Sequence, residues 1–263
     1  MHAFQSSRRF FLLALGLLAS CGTTAPLTTP APLRVATDQT NPPFANVPVE
    51  GQPPVGFEVE LARELARRLE RPLVFARMDF DRILPTVESS EADLALATIG
   101  WTEERAARLG FTRPYYSTQI LALVRTGEEE PRTVDDLRGL ALSAGAGTTS
   151  QLAAVANGLG DDLVEASAKD SPVVERLLSG ALDAAIMDGP DALDFVAEYP
   201  GRLAVIEQAL ASERYSIGVR PDDRELLEQV DGLLDELEAE GWLAERALEF
   251  GLDPALVARP RGE

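Results

Sequence analysis

The sequence predicts an α/β fold arranged as two lobes that the chain visits more than once. Two observations carry this. Short apolar runs of strand length alternate with helix-period segments along the chain, an order that builds helix-flanked sheets, and parallel sheets are expected from it. The alternation also runs twice, broadly over residues 33–115 and 133–210, before one more strand and two helices.

The chain opens on a targeting segment, residues 1–20. Arg8 and Arg9 precede an apolar core over residues 10–18, the length of a signal peptide rather than of a membrane span. Ser7-Arg8-Arg9-Phe10-Phe11-Leu12 is similar to a twin-arginine export signal. Leu18-Ala19-Ser20-Cys21 resembles a bacterial lipobox, with Cys21 as the lipid-attachment residue; the other reading is an ordinary signal peptide and a stray cysteine. Cleavage before Cys21 removes Arg8 and Arg9 and no acid, so the mature chain is more negative than the −19 of the whole sequence. A lipid anchor holds such a protein at a membrane surface without spanning it. Residues 21–32, rich in Thr and Pro, read as a tether.

The charge balance excludes several function classes. With 24 basic against 43 acidic residues, nucleic acid and anionic membranes are poor partners. Lys169 is the only lysine, which reads as genome composition bias. His2 is the only histidine and lies in the segment expected to be removed. The mature chain then has no imidazole, which excludes Ser-His-Asp and Cys-His mechanisms and His-ligated metals. No cofactor or metal is expected.

Residues 33–37 read as a strand that runs into Asp38 and the loop Asn41-Pro42-Pro43-Phe44, where proline stops strand pairing. Residues 45–55 are a Pro- and Gly-rich excursion. From Gly56 to Leu69 the pattern is a helix: Leu61, Leu65 and Leu69 recur at i+4 beside Ala62 and Ala66, with acids first and arginines last. Residues 73–76 are a strand, and residues 82–88 a helix interrupted or started near Pro85.

The next stretch, residues 93–105, is the one around which the chain is organised. A buried strand over residues 94–97 leads to Gly100, where the backbone turns or approaches something closely. Thr102, Glu103 and Glu104 form a helix start, with Arg105 in its first turn. The dipole disfavours a cation there. Either Arg105 pairs with its neighbouring glutamates, or its fork and the nearby N–H groups make a carboxylate site.

Residues 118–125 are an extended apolar run, and Thr133-Val134-Asp135-Asp136 has capping-box spacing. A strand over 140–144 feeds Gly145-Ala146-Gly147-Thr148-Thr149-Ser150 and an Ala/Leu-rich helix. Residues 163–166 are a candidate strand. Ser171 and Pro172 read as N-cap and N1 of a helix ending near Gly180. A strand over 182–187 delivers Asp188 to its tip, before a helix over 191–198. Residues 203–206 and 214–219 are strands. Residues 224–240 form a long amphipathic helix, and residues 242–250 a final short one.

This order of motifs resembles the extracellular amino-acid-binding proteins of ABC importers, solute-binding protein family 3. The resemblance runs from about residue 33 to residue 251. It is carried by Gly56 to Leu69, Met78-Asp79-Phe80, Thr102 to Arg105, Pro114-Tyr115-Tyr116, Ala146 to Ser150, Asp183 with Met187-Asp188, and Glu240-Gly241. It implies a two-lobed, type II periplasmic-binding-protein-like clamshell with two hinge strands. Lobe 1 is then residues 33–116 and 216–263, lobe 2 residues 121–210, and the hinges residues 117–120 and 211–215. It implies an exported, lipid-anchored monomer that binds a free amino acid in the interlobe cleft and delivers it to an ABC importer membrane permease.

A free amino acid is a zwitterion, so its site needs a cation and an anion held apart. Through the resemblance, Arg105 takes the α-carboxylate by a bidentate fork, with backbone N–H groups near Gly100 and at Thr149. Asp188, from the opposite lobe, takes the α-ammonium; its other reading is a plain helix cap. Asp38, Phe80 and Thr98 are further ligand-facing positions, with turn or core roles as the alternatives for Asp38 and Phe80. Phe44 and Tyr115 are structural. Three residues depart from the family pattern: Asn41 replaces an aromatic residue, Gly100 a Ser or Thr, and Gly145 a long polar residue. These weigh against a flat, cationic side chain and lean toward a polar, uncharged or small amino acid.

Two other readings share the scaffold: a sensory amino-acid-binding module, and a dehydratase acting on arogenate or prephenate. The enzyme needs a carboxyl group with a raised pKa as general acid. Asp38 is a candidate, and the sequence marks no further acid in the cleft.

Overall fold

In the computed structural model, residues 30–127, 130–164 and 172–257 are described. The export signal, Cys21 and most of the tether lie outside them, as do Ser171 and the end of the candidate strand over residues 163–166.

The elements follow in chain order. β1 (Leu33–Thr37) is followed by a small ribbon of β2 (Thr40–Asn41) and β3 (Ala45–Asn46). Then come α1 (Phe57–Arg68), β4 (Leu73–Arg77), α2 (Phe80–Glu88), β5 (Leu94–Ala95), α3 (Glu103–Ala106) and β6 (Gly110–Arg125). β7 (Leu142–Ala144), α4 (Thr149–Ala156), α5 (Val173–Ser179), β8 (Ala184–Asp188), α6 (Gly189–Glu198) and β9 (Leu203–Val205) make the next run. β10 (Ala211–Val219), α7 (Arg224–Ala239) and α8 (Trp242–Glu249) close the chain.

One sheet, in the order β4-β1-β5-β10-β6-β8-β7 with β9 against the far end of β6, runs through both lobes. β6 and β10 join the halves: Gly110 to Ile120 of β6 pairs with β10, and Ile120 to Arg125 pairs with β8 and β9. The expectation of parallel sheets holds only in part. β1 pairs in parallel with β4 and β5, and β7 with β8, but β10 and β6 run antiparallel to each other and to their neighbours. The chain leaves the first lobe along β6 and returns along β10, which forces opposite directions.

The buried side chains form cores on either side of this crossing. In the first lobe, α1 buries Leu61 and Leu65, and α7 buries Leu226, Val230, Leu234 and Leu237 on the same core. Each such side chain contributes about 1.5–3 kcal/mol by leaving water. Phe44 stands edge-on to Tyr116 and Tyr215, at 5.2 and 5.5 Å between ring centres. Tyr116 and Tyr215 stack at 6.0 Å. This aromatic block, with the buried Tyr115, fixes the first-lobe end of both crossing strands. In the second lobe Ile120, Ala122, Leu142, Ala184 and Ile186 share a core with α4.

Local differences from the sequence reading have local causes. α2 starts at Phe80 and carries Pro85 inside it, where one missing N–H is tolerated. The Thr133–Asp136 box forms, with Asp136 Oδ2 accepting from Thr133 N at 2.9 Å, yet it caps only a short 3-10 turn before Gly139 at φ +76°. Pro172 takes the N-cap position of α5 rather than its first helical position. Of the candidate strand at 163–166, Leu163 makes a single bridge to Leu142. No described helix is long and apolar enough to cross a membrane.

Candidate functional site

Strand ends and helix starts converge between the lobes. Asp38 follows β1, Thr98 follows β5, and Arg105 sits on α3; from the other side come Thr149 at the start of α4 and Asp188 at the tip of β8. All five, with Phe80, line one cavity of about 330 Å³. Gly100 is not part of that lining; it sits behind Arg105 and accepts from its Nη1 at 2.6 Å. A larger groove, about 1050 Å³, runs along the crossing strands and includes neither Arg105 nor Asp188.

The local folding explains why these groups point inward. Thr98 has φ +47°, unusual for a residue with a Cβ. It is held there by Glu58, whose Oε1 accepts from Thr98 N at 2.7 Å and from the Tyr115 hydroxyl. Burial pushes the Glu58 carboxyl up to about 7, against those two hydrogen bonds. Thr102 caps α3, its Oγ1 accepting from Arg105 N at 3.1 Å. Arg105 pairs with neither Glu103 nor Glu104; it reaches back to Gly100 O and across to Gly147 O at 3.0 Å. Burial lowers its pKa, opposed by Glu213, Glu104 and Asp188.

Asp188 occupies the N-cap position of α6, but its side chain makes no capping hydrogen bond. Its carboxylate instead accepts from Ser150 Oγ at 3.1 Å and from the Tyr215 hydroxyl at 2.6 Å. Burial raises its pKa, while Tyr215, Ser150 and Arg105 hold it down. The carboxylate is thus turned toward the crossing strands and the cavity.

Two acids missed in the sequence, with Asn41 in a role the sequence did not show, complete the site. Asp191, one helical turn after Asp188, lines the same cavity. Burial, with Asp188, Asp194 and Asp38 nearby, pushes it up to about 8. Asn41 lies between Thr98 Oγ1 at 3.2 Å and Asp191 Oδ1 at 2.9 Å, and with its amide set to satisfy both it accepts from the first and donates to the second. Glu213, on β10, is buried and its Oε1 accepts from the Thr149 hydroxyl. Burial and Asp188 push Glu213 up to about 7, against Thr149 and Arg105. The expectation that no further acid stands in the cleft is therefore corrected. The i+3 spacing from Asp188 was a usable signal for Asp191. Glu213 had only an indirect one, the small residue at position 100, because it arrives on a strand distant in sequence.

First-lobe and second-lobe groups touch directly here, Arg105 with Gly147 and Asn41 with Asp191, and Tyr215 of the crossing strand β10 bonds Asp188. The cavity therefore holds one guanidinium against Asp38, Asp188 and Asp191. Among the described residues no His/Cys/Asp/Glu group could hold a metal ion.

Comparison with known proteins places this arrangement in context. The family model of bacterial extracellular solute-binding proteins, family 3, matches residues 33–252. The L-cystine-binding protein TcyJ of Escherichia coli K12 is 30% identical over 212 residues, 80% of this chain and 79% of its own. The histidine-binding periplasmic protein of Salmonella typhimurium LT2 is 26% identical over 247 residues, 90% of this chain and 94% of its own. A mutant of ArgBP from T. maritima superposes with a TM-score of 0.74 at 32% identity, covering 83% of this chain and 94% of that one.

Proposed function

The chain belongs to the bacterial extracellular solute-binding proteins, family 3, and from that premise we propose that it binds a free amino acid between its lobes and delivers it to an ABC importer permease, without chemical turnover. One observation carries this: Arg105 and Asp188, on elements of opposite lobes, line a single cavity. Arg105 takes the α-carboxylate, with the N–H of Thr149, the first residue of α4, beside it. Asp188 takes the α-ammonium. Lobe 1 comprises residues 33–116 and 216–263, lobe 2 residues 121–210, with hinges at 117–120 and 211–215, where Thr118 pairs with Glu213 and Ser117 with Arg214. A ligand gripped from both sides stabilises the closed form, which the permease reads. Export through the N-terminal signal and anchoring through Cys21 complete the reading.

The acids left over name the side-chain class. Once Arg105 and Asp188 hold the zwitterion, Asp38 and Asp191 remain in the cavity with no ion-pair partner among the described residues. A cationic side chain pairs with Asp38 and draws Asp191 into its ionised form. This argues against the leaning toward a polar, uncharged or small amino acid drawn from Asn41, Gly100 and Gly145, and the Asn41 amide is itself engaged with Asp191. The names of relatives that bind arginine or lysine/arginine/ornithine support the same class, while that of the L-cystine-binding relative does not.

A thermal-shift screen against the amino acids tests the reading. Saturation at about a hundred times Kd adds about 2.7 kcal/mol, or roughly 5–10 °C in Tm for a chain of this size. The expected hit is a cationic amino acid, with the shift lost in both Arg105→Ala and Asp188→Ala. A dehydratase on this scaffold is favoured by one observation, the raised carboxyl groups of Asp191 and Glu213. Turnover of prephenate or arogenate would establish that reading in place of simple binding.

A further inference from the structure

We propose that Glu213 is a further ligand-binding residue, whose protonated carboxyl group donates a hydrogen bond to the amino acid's α-carboxylate. It supplies from β10 the donor that a hydroxyl at residue 100 would otherwise supply. This rests on the amino-acid reading of the cavity and adds a proton to it.

The geometry begins at Gly100. A Cβ there would overlap Glu213 Oε1 and lie 2.8 Å from Thr149 Cγ2. No side chain larger than hydrogen fits while Glu213 keeps its place. The carboxyl group is thus wedged between a first-lobe backbone and the start of α4, the two positions expected to flank the ligand's carboxylate. Glu213 itself lines the larger groove, while its carboxyl reaches Thr149, which lines the cavity.

Its two oxygens are in different states. Oε1 accepts from the Thr149 hydroxyl. Oε2 is buried and has no hydrogen-bond partner among the described residues. A buried polar atom left unpaired costs about 1–3 kcal/mol, so an acceptor or donor at Oε2 is favoured. Since Oε1 already accepts, a proton on the group resides at Oε2, and that O–H needs an acceptor. Asp188 already accepts from Ser150 and Tyr215. An α-carboxylate on Arg105 has lone pairs to spare and arrives next to Gly100 and Thr149.

The charges facing Glu213 set the sign. Asp188 on β8 and burial favour its protonated form; Arg105 on α3 and the Thr149 hydroxyl on α4 favour the ionised one. Tyr115 on β6 and Tyr215 on β10 also face it, and both are held protonated well above their usual range. The balance places the group at about 7 without ligand. A second carboxylate beside it raises that value further, because two carboxylates in contact share one proton. Binding therefore takes up a proton. Affinity is full below about pH 7 and falls up to tenfold per pH unit above it, until the bound-state pKa is reached.

The test is calorimetric titration of the purified protein with L-arginine from pH 6 to 8.5, comparing the wild type with Glu213→Gln. The amide retains an N–H donor and does not titrate. The expected Kd of the variant is within a few-fold of wild type at pH 6, with the wild-type-to-variant affinity ratio falling roughly tenfold between pH 7.5 and 8.5. Contributions from Asp191 and Glu58 cancel in that ratio. The double variant Gly100→Ser/Glu213→Ala, which moves the donor back to residue 100, is expected to give the same falling wild-type-to-variant ratio, and it decides the matter if Glu213→Gln does not fold. A wild-type-to-variant ratio constant across the range for both variants overturns the role of Glu213 while leaving amino-acid binding intact. Absence of wild-type binding to any amino acid at every pH overturns the amino-acid reading itself.

Discussion

Asp191→Asn separates the recognition of the side chain from that of the zwitterion. Asp191 faces the cavity with Asp38 opposite and accepts from Asn41, and burial pushes its carboxyl up to about 8. At pH 7 only about one molecule in eleven has this group ionised. A cationic ligand must ionise it to form the ion pair, which costs about 1.4 kcal/mol, or tenfold in affinity. At pH 8.5 most of that cost is gone, a gain of roughly eightfold. The charge-assisted bond itself contributes about 1.5–3 kcal/mol, or about 10- to 150-fold. The assay is the ratio of the Kd for L-glutamine to that for L-arginine, measured by calorimetry at pH 7 and 8.5. The ratio cancels every effect on the shared α-groups, including that of Glu213. In the wild type it is expected to rise roughly eightfold between the two pH values. In Asp191→Asn the pH dependence is lost, so the ratio falls by about 8- to 110-fold at pH 8.5 and by only about 1- to 14-fold at pH 7. A variant that binds both ligands as the wild type does, or that loses both equally, refutes the assignment.

Two further predictions concern the scaffold. Glu58→Ala strips the hydrogen bonds from Tyr115 OH and Thr98 N, and chemical denaturation is expected to show a loss of about 2–4 kcal/mol. Because the folded-state pKa of Glu58 is raised from 4.5 to about 7, the folded chain holds this proton longer than the unfolded one. Its contribution is fully present below pH 4.5 and falls away as pH rises to 7, by on the order of 3 kcal/mol; Glu58→Gln is expected to flatten that part of the wild-type Tm profile, and an unchanged profile contradicts the assignment. At Gly56, φ is +134° and a Cβ would overlap the Phe44 carbonyl and sit 2.9 Å from Pro43 O. Gly56→Ala is expected to lower stability by more than about 2 kcal/mol, read from the same denaturation curves.

What the sequence made legible is what repeats locally. The i+4 leucines of α1 and the long stripe of α7 pack as their spacing requires. β6 was read only as its second half, because Thr112, Arg113 and Pro114 break the apolar signal in its first half. Its direction relative to β5 and β8 is a property of topology, which a run of residues does not encode. At the site, Asp38, Phe80, Thr98, Arg105, Thr149 and Asp188 were found through the order of motifs, and the structure gathers them around one cavity. Of the two readings of Asp188, the plain helix cap fails: it takes the cap position but makes no capping bond, and its carboxylate goes to Ser150 and Tyr215. Glu213 was hidden because its partners are tertiary. Its only trace was the small residue at position 100, which the sequence presents as a missing hydroxyl and the structure as room for a carboxyl group.

The central claim is that one small dipolar molecule is gripped at its two ends from opposite lobes. A crystal structure with the amino acid that gives the largest thermal shift measures this directly. The account predicts the α-carboxylate forked on Arg105 and the α-ammonium within hydrogen-bond distance of Asp188. A ligand seated in the groove along the crossing strands, or one whose charged ends ignore both residues, would contradict it.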